Sequence, residues 1–420
     1  MNGFLGLLRH RDYRLLVSGA TVSSLGGSIA PVALAFAVLD LGGSATDLGL
    51  VVAAYAMAEV VTVLFGGVLG DRLPRQVMMQ GSSAAAFLTQ GVVAVALIGG
   101  WASIPMLTVI GIANGCLGAL AGPSSSAMTR HTVPPADLAT AVAGRRLCQN
   151  SAQVVGFSVA GVLVAAFGSG WAIAIDAATY AVAAVCFGLI RVATPPAAET
   201  RTSMLGDLGA GAAEVFRHTW LWLLIGQALL YHLFFGGVLG VLGPIVVGDS
   251  FGRAAWGWAL AALMVGFIVG GLVSLRWRPR HGLYAGTALL SLTAAFPLAM
   301  ALSDQLWPLL IGAFLHGFGL ELFSVNWDLS IQQNVAEDKL ARVYSFDLVG
   351  SFVARPLGLV LTAPVAAAVG FDRWLVVVGI VMGGSSLLAL LSPSVRHLER
   401  RRDNAGDPAR EVAGDEVGAS

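Results

Sequence analysis

The sequence predicts an all-helical membrane protein of twelve spans, built as two repeats of six. Three observations carry this. The chain of 420 residues is 56% hydrophobic and only 11% charged, with a mean hydropathy of +0.79. A soluble chain of that length needs far more charge to cover its surface. Runs long enough to cross the hydrocarbon as helix, about 20 apolar residues each, recur from end to end. Finally, the second half repeats the first. "VPPADLATAVAG" from Val133 aligns with "VAEDKLARVYSF" from Val335, and the same offset of 202 residues brings Gly156 onto Gly358 and Gly168 onto Gly370 without a gap.

The apolar runs cover residues 15–39, 46–70, 76–98, 102–125, 138–167 and 170–192, then 219–246, 255–275, 282–302, 306–326, 341–369 and 373–392. Helix is the form that satisfies backbone polar groups within each run. Residues 1–193 are thus a first six-helix bundle and 219–393 a second. Between them, 194–218 is a linker, proline-rich at its start and ending as an interfacial helix. Residues 394–420 form a charged tail expected to be disordered. The 53 glycines read as close-packing positions between helices.

Arginine and lysine set the orientation. With the N-terminus in the cytoplasm, Arg72, Arg75, Arg130, Arg276, Arg278, Arg280 and Lys339 all fall inside, and only Arg253 and Arg373 fall in outside loops. Both termini are therefore placed in the cytoplasm. Trp101, Trp171, Trp256, Trp307 and Trp374 fit as outer interface anchors, and Trp220, Trp222, Trp277 and Trp327 as inner ones. The first apolar run is too long for a cleavable signal.

Cys116, Cys148 and Cys186 lie in separate runs with no metal-ligand spacing, so they read as small buried apolar residues. No phosphate-cradling loop, metal cluster or nucleophile arrangement is present in the sequence. The expectation is a protein that is not an enzyme, with no cofactor, no metal and no nucleic-acid partner.

Ionisable groups inside spans are costly and mark function by default. Glu59, midway along the second run, is the first choice for a proton carrier. Asp176, Glu321, His232 and His316 are further proton-coupling candidates. For the two histidines a satisfied packing role stands beside a proton-shuttling one. Asn114 meets His316 under the repeat offset. Asn114, Arg145, Arg355 and Asp347 are candidates for a substrate cavity. Arg355 needs an anionic partner, and Asp347, about two helical turns earlier, is poorly placed to be it. An Arg355 facing a cavity favours anionic or zwitterionic substrates.

The turn "GGVLGDRLPRQVMM" between the second and third runs resembles the signature loop of the major facilitator superfamily. Gly67, Asp71, Arg72 and Arg75 match it; Pro74 and Gln76 stand where the family prefers a glycine and a second base. The resemblance implies two pseudo-symmetric six-helix bundles with a substrate site between them near the midplane. It also implies a gate in which the loop acid meets the start of the eleventh span. That start carries Arg342 here, so Asp71 is expected to pair with Arg342 when the protein is closed to the cytoplasm.

Three further stretches, "LLRHRDYRLLVSGATVSSLGGSIAPVALAF", "DLGAGAAEVFRHTWLWLL" and "NVAEDKLARVYSFDLVGS", resemble the enterobactin- and macrolide-exporter branch of that superfamily. The resemblance implies a monomer in the plasma membrane of a bacterium. It would move a small amphipathic molecule, an antibiotic, siderophore or other natural product, outward in exchange for protons. Such pumps confer multidrug resistance. Two departures bear on coupling: Gly27 stands where the branch often has an acid, and Phe157 follows Gly156 where a proline is usual. A solute importer of the same fold and a lipid or lysolipid flippase remain alternatives.

Overall fold

A computed structural model describes residues 4–65, 74–191 and 212–399. Twelve helices in it are long and apolar enough to cross a membrane: Arg11–Asp40, Ala45–Val63, Arg75–Ile98, Ile104–Ala121, Pro135–Phe167 and Ser169–Gly188, then Thr219–Phe251, Arg253–Arg276, Gly282–Leu302, Leu306–Asn334, Arg342–Val369 and Phe371–Ala389. We call them spans 1 to 12. With an even number of crossings, both ends of the chain lie on one face, the terminal face. The opposite one is the far face.

Several helices outrun their apolar stretches. The helix of span 4 runs Ile104–Thr132 and that of span 10 Leu306–Asn334, where the sequence placed their limits at 125 and 326. Apolarity marks only the part that needs lipid, whereas backbone hydrogen bonding carries the helix on into water.

The repeat is visible in the packing. Gly168 ends span 5 at φ 83° and Gly370 ends span 11 at φ 97°, a conformation essentially restricted to glycine. A Cβ on Gly156 would lie 2.5 Å from the Leu25 carbonyl of span 1, and one on Gly358 would strike the Leu233 carbonyl of span 7. Thus the fifth helix of each bundle packs backbone to backbone on the first, as small residues allow.

The second bundle is less regular than the first. Span 7 contains a π-helical turn, Val238–Leu242, and span 9 a 3-10 turn, Ser291–Ala294. Span 11 is split into Glu337–Phe352 and Arg355–Val369. Pro356 explains the split: it has no N–H to offer the Phe352 carbonyl.

The bundles touch along span 2 with span 11 and along span 5 with span 8. Toward the end of the linker, residues 212–217 are helical. Val215 there is wholly buried among Trp220, Leu224 and Val343, and Glu214 accepts a hydrogen bond from Lys339 at 2.9 Å. The Lys339 ammonium holds the Glu214 carboxyl below the usual carboxylate range. At the other end, the tail expected to be disordered from 394 is docked through residue 399. Val395 is fully buried, and Arg280 binds Glu399 at 2.8 Å; residues 400–420 lie outside the described residues.

Three tryptophans are not interface anchors. Trp256, Trp220 and Trp327 are 2%, 4% and 8% exposed, and the last two meet edge to face at 5.6 Å. Trp101, Trp171 and Trp307 are over half exposed, as a membrane-interface position requires. The three cysteines are half-buried and free.

Candidate functional site

Between the bundles lies a cavity of about 420 Å³, within the range of small-molecule sites. Its far-face end is apolar, walled by Leu34, Phe157, Leu107, Trp256 and Leu260. Its other end gathers the polar groups Tyr55, Glu59, Gln90, Asn114, Tyr180 and Arg355. The cavity is thus amphipathic along its length.

Glu59 of span 2 and Arg355 of span 11 face one another here, with Oε2 and Nη1 3.9 Å apart. Both side chains are more than a third exposed, so the pair is wet and loosely held. The split in span 11 places Arg355 at the start of its second segment, where its side chain reaches the cavity. This pair joins the bundles at the level where a second cavity of about 220 Å³, walled by Val60, Val63, Leu348 and Phe352, opens between spans 2 and 11.

Behind this wall Asp176 is fully buried. Its Oδ2 accepts a hydrogen bond from Gln90 Nε2 at 2.9 Å. Its Oδ1 has no hydrogen-bond partner among the described residues. Asn114 accepts from Thr89 at 2.8 Å and lines the cavity.

The other expected site residues lie elsewhere. His316 is fully buried in the second bundle, with Nε2 against Tyr231 Oη at 2.7 Å and Nδ1 against the Thr293 carbonyl at 2.9 Å. His232 packs on the Phe352 ring at 4.2 Å, with Nδ1 at 2.8 Å from the Ala228 carbonyl. Glu321 packs against Gly270 of span 8. Asp347 accepts from Trp327 Nε1 at 3.1 Å and from Ser351 at 3.2 Å. Arg145 donates to the Ser125 carbonyl at 2.6 Å and to its hydroxyl at 3.1 Å. Of the gating residues, Gly67, Asp71 and Arg72 lie outside the described residues. Arg75 Nη1 lies 3.4 Å from His131 Nε2, and Arg342 is exposed on the terminal face.

The far face is sealed. A Cβ on Gly161 of span 5 would lie 2.5 Å from the Arg253 carbonyl, and one on Gly257 of span 8 would strike the Phe157 carbonyl. Above this backbone contact, both Asp40 carboxylate oxygens at the end of span 1 take hydrogen bonds from Arg253, one of them at 2.8 Å. Arg253 also lies over the Phe36 ring at 5.1 Å, and Ser169 donates to Asp40 at 3.1 Å.

Sequence reasoning missed this lock. The signal was there: Arg253 is one of only two basic residues on the face that should have none. Gln76, which stands where the family prefers a second base, has a structural role in this chain. Its Nε2 lies 3.2, 3.3 and 2.6 Å from the carbonyls of Phe187, Gly188 and Ile190 and donates to them, so it caps the end of span 6.

Twelve spans in two bundles, an amphipathic cavity between them, one face sealed and a charge pair across the gap define a membrane transporter. Residues 16–273 match the family model described as Major Facilitator Superfamily, and the chain belongs to that family. It is 24% identical over 401 residues to the multidrug efflux pump Tap of Mycolicibacterium fortuitum, covering 92% of this chain and 96% of Tap. It is 22% identical over 401 residues to macrolide efflux protein A of Streptococcus pyogenes, covering 91% and 95%. Among solved structures, the nucleoside transporter NupG superposes with a TM-score of 0.72 at 13% identity, over 91% of this chain and 98% of that one. The chain is a multi-pass membrane transporter of a small-molecule substrate, and not an enzyme.

Proposed function

We propose that the protein exports a small amphipathic molecule in exchange for protons, across a bacterial plasma membrane, with the terminal face in the cytoplasm. The observation that carries this is the Glu59–Arg355 pair, 3.9 Å apart across the bundle interface inside the cavity. A carboxylate there holds the arginine while it is ionised. On protonation it releases the guanidinium, which is then free to take an anionic or zwitterionic part of the substrate. Proton and substrate thus compete for one contact, and that contact also reports whether spans 2 and 11 are together. The apolar far-face end of the cavity receives the body of the molecule. The basic residues of the terminal face support its cytoplasmic placement, and the names of two relatives, a multidrug efflux pump and a macrolide efflux protein, support outward transport.

The test is a pair of liposome assays on Glu59→Gln, a permanent mimic of the protonated acid. Uphill, pH-driven efflux should be abolished, while downhill exchange at equal pH keeps its rate. Loss of both together makes Glu59 a structural or substrate-binding residue. Retention of both moves coupling to Asp176 or away from protons altogether.

A further inference from the structure

A third cavity, of about 230 Å³, lies inside the first bundle toward the terminal face. It shares Asn114, Gly118 and Tyr180 with the central cavity, so the two are adjoining chambers. Its polar lining is made of Ser23, Ser24, Ser82, Ser83, Ser125 and Gln149 together with those shared groups, and no residue that lines it is charged. Met79, Leu117 and Phe187 supply an apolar wall.

Two serines here, Ser82 and Ser83, do not bond back to their own helix. A serine in a membrane helix commonly donates back to the carbonyl one turn earlier. Ser158, Ser274, Ser324, Ser330 and Ser386 all do so, at 2.7 to 3.0 Å. Ser82 and Ser83 are only 7% and 5% exposed, yet neither makes a hydrogen bond among the described residues. Their hydroxyls remain open to the chamber. A hydroxyl that faces a chamber and bonds to nothing else in the protein is free to bond to what fills that chamber, and two side by side in one wall point to a ligand that supplies those bonds.

We propose that this annex receives an uncharged, polyhydroxylated group of the transported molecule, a glycosyl or polyol appendage, while the molecule's apolar body occupies the central cavity. The chemistry matches on three counts. Hydroxyls and amides give and accept hydrogen bonds in the directions a polyol needs. No charged residue lines the annex, and the nearby Arg145 guanidinium is engaged with the carbonyl and hydroxyl of Ser125, so the wall offers neutral donors and acceptors. The Met79, Leu117 and Phe187 wall suits the C–H face of a sugar ring. The shared Asn114 and Tyr180 stand at the junction of appendage and body. This inference rests on the reading of the central cavity as the transport site.

The test uses two fluorescent neutral probes with a common aromatic body: 4-methylumbelliferyl β-glucoside and its sugar-free counterpart 7-methoxy-4-methylcoumarin. Neither is charged, so the Glu59–Arg355 pair does not enter the comparison. Binding is read by fluorescence anisotropy on the purified full-length protein in lipid nanodiscs. The glucoside should bind about tenfold more tightly than the coumarin, as expected where a site hydrogen-bonds hydroxyls that the analogue lacks. In the double variant Ser82→Ala, Ser83→Ala that preference should disappear, with coumarin affinity unchanged. The unchanged coumarin affinity also certifies that the variant is folded. Equal affinity of the two probes for the unmodified protein overturns the annex alone, as does a glucoside preference that survives the double substitution. Parallel loss of both probes in the variant makes the annex a structural or water-filled space and overturns it too. Failure of both probes to bind the unmodified protein overturns the central-cavity reading along with this one.

Discussion

Gly257→Val is expected to hold the transporter open at the far face. In the closed arrangement described above, a Cβ at position 257 would strike the Phe157 carbonyl oxygen and lie 3.0 Å from the Gly161 nitrogen. Both are backbone atoms of span 5, so no rotamer change can relieve the contact. The two valine methyls add to it. Overpacking of this kind costs about 1–3 kcal/mol, and it is incurred only while the bundles are pressed together at that face. The substitution therefore acts on the balance between states, by about 5- to 150-fold. The assay places a single cysteine at Leu260, 6% exposed in the cavity wall, in a background without Cys116, Cys148 and Cys186. A membrane-impermeant maleimide added from the far face should label Leu260→Cys slowly in the parent and rapidly in the Gly257→Val protein, with transport impaired. Unchanged protection of Leu260→Cys, in a protein that melts as the parent does, would refute the steric argument.

Asp40→Asn should push the same balance in the same direction but less far. The Asp40–Arg253 pair is about 40% exposed, so its removal is worth about 1 kcal/mol, about a fivefold shift in Leu260→Cys labelling. Gly168→Ala should lower thermal stability by about 1–3 kcal/mol, because φ 83° with ψ 165° is strained for any residue with a Cβ; an unchanged melting curve would count against the local geometry. Glu214 titrates below its ordinary range because of Lys339. Its contribution is thus fully present above the normal glutamate pKa and is lost as pH falls through the depressed value. In Glu214→Gln this acid-side loss should be absent, as measured by melting temperature against pH.

The span count and the repeat were legible because hydropathy and glycine spacing are local signals. Gly156 with Gly358 and Gly168 with Gly370 were paired from the sequence, and each pair holds equivalent positions. Glu59 and Arg355 were each singled out as unaffordable in lipid without a partner. That they face one another was not legible, since nothing local couples residues 296 positions apart in sequence. Asp40 and Arg253 escaped for the same reason. Trp256 was read as an anchor because residue type alone cannot tell an indole at the headgroups from one in a cavity wall. Nothing in the sequence marks the serines of the annex, which are common polar members of apolar helices. What separates Ser82 and Ser83 is the hydrogen bond they fail to make, and only coordinates reveal that.

The π-helical turn at Val238–Leu242 makes span 7 a spliced helix. The turn takes up one residue more than regular helix would hold there, and Leu239, Gly240 and Pro244, in it and just beyond it, line the cavity wall. Removing one residue from the splice would let ordinary helical geometry run through with everything beyond it facing as before, whereas removing one from a regular stretch of the span would turn everything beyond by about 100°. In that second case side chains of the cavity and of the lipid-facing surface would trade places without a single substitution. For this helix the natural unit of change between relatives is therefore the single-residue insertion or deletion. An alignment that forbids gaps within a span would compare the wrong cavity residues over its outer third.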